Sequence, residues 1–138
     1  MSPPFDGSYY IKNIASGYFI TSDGKDSFST PVSTIKPTSD LNDKMSFNLR
    51  KGDGEWYFIS ANYSGANVRA SSNGSTAIWR PNEVAFKILD AGEALYNIRL
   101  DGANLFWYDD IASMQPLHMV LLNKGSTADS AKWMFLDV

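Results

Sequence analysis

Few side chains in this sequence are of a type and spacing that could do chemistry. Asp109-Asp110 is an adjacent carboxylate pair, and paired carboxylates can do acid–base work on glycosidic bonds. Neighbours on an extended chain point to opposite faces, however. The pair therefore reads as a turn support or a polar ligand group. The single histidine, His118, sits in the apolar run Leu117-His-Met-Val-Leu-Leu122. With no cysteine and no second histidine it cannot build a metal site. A Ser-His-Asp triad needs three convergent groups, and nothing in the pattern selects them. No catalytic residue, metal or cofactor is expected.

Two clusters have a composition suited to holding a polyhydroxylated ring. Such a shallow site needs an aromatic face for the ring's C–H groups and planar polar groups to offset the desolvation of its hydroxyls. One cluster is Phe106-Trp-Tyr-Asp-Asp110, so Phe106, Trp107, Tyr108, Asp109 and Asp110. The other gathers Asn73, Trp79, Arg80, Asn82 and Glu83. By strand alternation Phe106 and Tyr108 share one face, and Leu105 and Trp107 the other. If Leu105 is core, Phe106 and Tyr108 point outward and Trp107 closes the end of the core. Trp133 and Trp56 read as core plugs. Trp79 and Trp107 are candidates for exposed binding roles. A third feature is the polar loop 22–30, whose Lys25 could enter the specificity pocket of a trypsin-like protease.

The elements that position these residues follow from a repeat. Tyr9-x-Ile11, Tyr57-x-Ile59 and Tyr96-x-Ile98 each precede a glycine turn, at Gly17, Gly65 and Gly102, followed three residues on by Ile20, Val68 or Leu105. Phe47 and Phe86 each stand ten residues before a repeat tyrosine, and Ala131-x-Trp133-x-Phe135 closes the chain. Three copies in 138 residues give a period of about 46, which points to a repeat architecture. Strands are expected at 7–13, 18–21, 32–36, 45–50, 55–61, 66–70, 76–80, 84–89, 94–100, 103–108, 118–123 and 132–137. Glycine, proline and asparagine turns punctuate them. No long segment has helical period with a cap at each end. Twelve short strands in three groups of four fit an all-β, single-domain β-trefoil with repeats near 7–50, 51–90 and 91–138. The alternative is a β-sandwich. No four-strand unit can bury its apolar face alone, whereas three share one core. The three Tyr-x-Ile faces, the aliphatics after the glycines, and Phe47, Phe86 and Trp133 should fill it.

Composition sets further bounds. The chain is 43% apolar and 14% aromatic, enough for one core, and its net charge is −3. That charge, with basic residues scattered, argues against a nucleic-acid partner. Residues 1–7 lack the basic and apolar regions of a secretory signal, and no stretch approaches 18 apolar residues, so no membrane insertion is expected. The sequons at Asn62 and Asn73 then read as turns, and the location as cytoplasmic or non-classically released.

The opening Gly7-x-Tyr9-x-Ile11-x-Asn13 resembles that of mushroom ricin-B-like lectins. The run Pro81-Asn-Glu-Val-Ala-Phe86, then Tyr96-Asn-Ile98, then Lys132-Trp-Met-Phe-Leu-Asp-Val138, is similar to the second half of small fungal β-trefoil lectins. The resemblance implies a lectin without catalysis or cofactor that binds glycans or glycoproteins carrying N-acetylglucosamine, galactose or N-acetylgalactosamine, in fungal defence. This chain departs from the family at its Gln-x-Trp signature, which is reduced to Met45-Ser-Phe47, Val84-Ala-Phe86 and Ala131-Lys-Trp133. It departs again where the galactose-binding aspartate would stand, near Ser22, Ala70 and Trp107. Mushroom protease inhibitors share the layout and are the alternative. A monomer with one site would bind weakly, since avidity needs linked sites; a homodimer would supply them.

Overall fold

The computed structural model describes residues 6–21, 32–36, 45–52, 56–61, 69–72, 75–80, 84–100, 102–110, 117–125 and 127–138. Among them lie twelve strands. They are β1 (Gly7–Asn13), β2 (Phe19–Thr21), β3 (Ser33–Ile35), β4 (Ser46–Lys51), β5 (Trp56–Ala61), β6 (Arg69–Ser72), β7 (Ala77–Arg80), β8 (Phe86–Gly92), β9 (Leu95–Leu100), β10 (Phe106–Asp109), β11 (Leu117–Asn123) and β12 (Trp133–Asp137). Each expected strand is present. β6 runs on through Ser71 and Ser72, where a turn was expected. β10 starts three residues late, because Ala103 N still donates to Leu100 O in the preceding turn. Between the strands expected at 118–123 and 132–137, a single turn of 3-10 helix, Asp129–Ala131, leads into the last strand.

Six strands close a ring. β1 pairs with β4, β4 with β5, β5 with β8, β8 with β9, β9 with β12, and β12 with β1. The ring leaves no open sheet edge. The other six form the hairpins β2–β3, β6–β7 and β10–β11. Each hairpin is rooted on the barrel in the same way, by β1–β2, β5–β6 and β9–β10. Adjoining hairpins meet through β3–β11 and the bridge Thr76↔Leu121. This is a β-trefoil.

The register shows why the sequence repeat works. Tyr9 lies opposite Phe47, Tyr57 opposite Phe86, and Tyr96 opposite Trp133. Period-2 alternation sends these pairs and the Ile two residues on to the inside. Phe47, Phe86 and Trp133 are 1%, 0% and 0% exposed, and Ile11, Ile59 and Ile98 are buried with them. Ile20 is buried and Leu105 half-buried; Val68 lies outside the described residues. Gly17 (φ 73°) and Gly102 (φ 78°) turn the chain at equivalent places in the left-handed region that glycine enters without a Cβ clash. No helix of the described residues is long and apolar enough to cross a membrane.

Candidate functional site

Two of the expected binding tryptophans face the core. Trp107 is 0% exposed and packs edge-on against Phe86, with ring centroids 5.1 Å apart and planes at 77°. Its carbonyl accepts a hydrogen bond from Trp133 Nε1 at 3.1 Å. Trp79 is 1% exposed and stacks on Phe47, 5.4 Å away and within 4° of parallel. An indole enclosed on both faces cannot stack on a sugar, so exposed roles for Trp79 and Trp107 are ruled out. Alternation misleads at Trp79 because β7 is covered on both faces: Ala77 and Ile78 are buried as well. Among the described residues neither Trp79 Nε1 nor Trp107 Nε1 finds an acceptor.

Phe106 and Asp109 are corrected too. Phe106 lies on the face opposite Trp107, yet it is only 6% exposed. It sits where β10 pairs with both Arg99 of β9 and Asn123 of β11, flanked by a strand on either side. Asp109 is fully buried. Ser16 Oγ donates to its Oδ2, and Thr34 Oγ1 donates to its Oδ1 at 3.0 Å. It therefore ties the third repeat to the first and is not a ligand group. Asp110 and Tyr108 remain half-exposed, at and just beyond the end of β10. Arg80 ends β7 opposite Arg69; its side chain, and Asn73, Asn82, Glu83 and the Lys25 loop, lie outside the described residues.

A second accessible site escaped the sequence reading. Trp56 does not plug the barrel; it is half-buried on the outer wall. With Arg50, Lys51, Gly52, Phe58 and Ala85 it lines an open cleft of about 520 Å³, within the range of small-ligand sites. The Arg50 guanidinium carbon lies 4.5 Å from the centroid of the Phe58 ring, and Lys87 Nζ lies 5.6 Å from that of Trp56. Both distances place a cation over an aromatic face. Gly52 allows the close packing of Phe58, since a Cβ there would stand 2.6 Å from Phe58 Cε2. The signal was present in the sequence: if Tyr57 and Ile59 point inward, Trp56 and Phe58 point outward.

At the rim of the barrel, burial and then the Asp137 carboxylate raise the Tyr9 phenol above its ordinary value of 10.0. Burial and then Asp90 do the same for Tyr96. Among the described residues no group of three His, Cys, Asp or Glu could hold a metal ion.

No family model and no curated protein sequence matches the chain. Solved structures do. A Macrolepiota procera ricin B-like lectin in complex with lactose superposes with a TM-score of 0.80 at 15% identity, covering 100% of both chains. The Rhizoctonia solani agglutinin gives 0.80 at 21% identity, covering 100% of this chain and 99% of its own. A proteinase inhibitor from Coprinopsis cinerea gives 0.73 at 10% identity, covering 99% and 100%. At such identities the likeness is one of fold.

Proposed function

We propose that this protein is a lectin. It binds glycans that carry galactose, N-acetylgalactosamine or N-acetylglucosamine, without catalysis or cofactor, and serves fungal defence from the cytoplasm or after non-classical release. The observation that carries the reading is the end of β10. There Tyr108 and Asp110, two positions apart in the chain, are both half-exposed, while Trp107 and Asp109 are buried. A ring face and a planar acceptor are the groups a shallow sugar site needs. Whole-chain likeness in fold to a lactose-bound lectin supports it.

The test is calorimetric titration of the protein and its Tyr108→Ala variant with lactose and with di-N-acetylchitobiose. Binding of either sugar, weakened at least tenfold in a variant that melts like the parent, supports the reading. Unchanged binding in the folded variant would remove Tyr108 from the site. The likeness to a proteinase inhibitor favours a second reading, checked by assaying inhibition of trypsin- and papain-like proteases.

A further inference from the structure

We propose that the cleft on β4, β5 and β8 is a second ligand site, and that it takes an acidic sugar: a hexuronate or sulfated hexose residue of a glycan. It is separate from Tyr108 and Asp110, and stands whether or not these bind neutral sugars.

The pseudo-threefold symmetry supplies internal controls. Arg50 lies opposite Phe58; the pairs at equivalent register are Leu136–Tyr10 and Leu89–Asn97, and in the last Asn97 is buried and donates to Ala131 O at 2.8 Å. Lys87 lies opposite Trp56, and the first-repeat equivalent is Asn48 opposite Ser8. Lys51 lies opposite Tyr57, where the other repeats have Asp137 opposite Tyr9 and Asp90 opposite Tyr96. The barrel is thus built at the same positions without these cations, and at the rim with the opposite charge. The fold does not require a cationic, aromatic patch, yet one stands in a single sector of a chain whose net charge is −3.

The neighbouring row extends the patch. Trp56, Lys87 and Arg99 lie side by side across β5, β8 and β9. Like charges directly opposite on adjacent strands are destabilising, and an anion between them reverses the sign. Arg99 Nε is buried and has no hydrogen-bond partner among the described residues. Arg50 and Lys87 also have other interactions in the folded chain, so a ligand anion joins or exchanges with these. Among the described residues, the Asp6 carboxylate accepts from Lys51 N at 2.9 Å and puts a negative group beside the cleft.

Trp56 and Phe58 suit the C–H face of a sugar ring. The guanidinium suits a planar carboxylate or a sulfate, and the ammonium groups add point charges. A free inorganic anion would use the cations and leave the rings idle, so a ring that carries the anion is the better fit.

Trp56 offers a direct readout, since the other tryptophans are at most 1% exposed. Acrylamide quenching of tryptophan fluorescence would be measured with a hyaluronan tetrasaccharide, a sulfated heparin disaccharide, di-N-acetylchitobiose and inorganic sulfate. At least one acidic sugar should protect Trp56 and bind at least tenfold more tightly than chitobiose, with the preference falling as salt screens the charges. Hyaluronan alone would assign a carboxylate ligand, and heparin alone a sulfate ligand. Arg50→Gln with Lys87→Gln should abolish the preference while leaving any lactose binding at Tyr108 intact. Lys51→Gln, at an exposed position that needs no repacking, should weaken acidic-sugar binding about threefold. Three results would overturn the proposal: no acidic sugar protects Trp56, inorganic sulfate does so as tightly as the sugars, or acidic-sugar affinity is unchanged in these folded variants.

Discussion

Inside the barrel, Phe47, Phe86 and Trp133 occupy equivalent places opposite Tyr9, Tyr57 and Tyr96, and all three are buried. On the opposite face of the same strands the equivalent places hold Arg50 with Phe58, Leu136 with Tyr10, and Leu89 with Asn97, which is buried against Ala131. The interior keeps the symmetry because each repeat must bury its apolar face against the other two. The other face is under less of that demand, although Asn97 is buried there. Its asymmetry is where a ligand site can be sought, and the interior's aromatic residues are poor places to look for one.

The largest effect expected from this contrast is in the core. Phe86→Ala should lower unfolding free energy by about 3–5 kcal/mol, measured by urea denaturation. Trp107→Ala, which removes the ring packed on Phe86, should cost a similar amount. Trp56→Ala on the wall should cost no more than about 1 kcal/mol. Equal losses at Phe86 and Trp56 would erase the distinction between the two faces.

An intermediate effect is expected at the buried carboxylate that joins repeats. Asp109→Ala removes the acceptor of Ser16 and Thr34, a loss of about 1.5–3 kcal/mol for a hydrogen bond to a charged group. It should leave glycan affinity at 25 °C unchanged, because Asp109 is not exposed. Lost affinity in a variant still folded would return Asp109 to the binding site.

The smallest effect concerns the rim, where two repeats carry aspartate and one carries lysine. The Tyr9 and Tyr96 phenols are raised above 10.0 in the folded chain, so the folded state holds their protons more tightly than the unfolded state does. Their contribution to stability is complete below about pH 10 and is lost as pH climbs through the raised values. Asp137→Asn should bring the Tyr9 titration down, and Asp90→Asn that of Tyr96, as read from ultraviolet absorbance between pH 9 and 12.

Much of the fold was legible because the Tyr-x-Ile motif fixes strand parity and recurs with a core aromatic at constant spacing. The site was less legible, for three physical reasons. Trp56 reads as a core plug beside Trp133, although parity with Tyr57 puts it outside. Trp79 sits on a strand covered on both faces, where alternation carries no signal. Asp109 is buried by partners 93 and 75 residues away, a pairing that no local pattern encodes. Strand parity puts both Phe106 and Tyr108 outward; Tyr108 is half-exposed, whereas Phe106 is buried.

The most direct test of carbohydrate binding is a glycan array probed with the labelled protein. Binding to a coherent set of galactose-, N-acetylgalactosamine- or N-acetylglucosamine-terminated glycans is the expected result, with the shared epitope naming the sugar. A blank array, with neutral and acidic glycans both present at high density, would contradict the lectin reading.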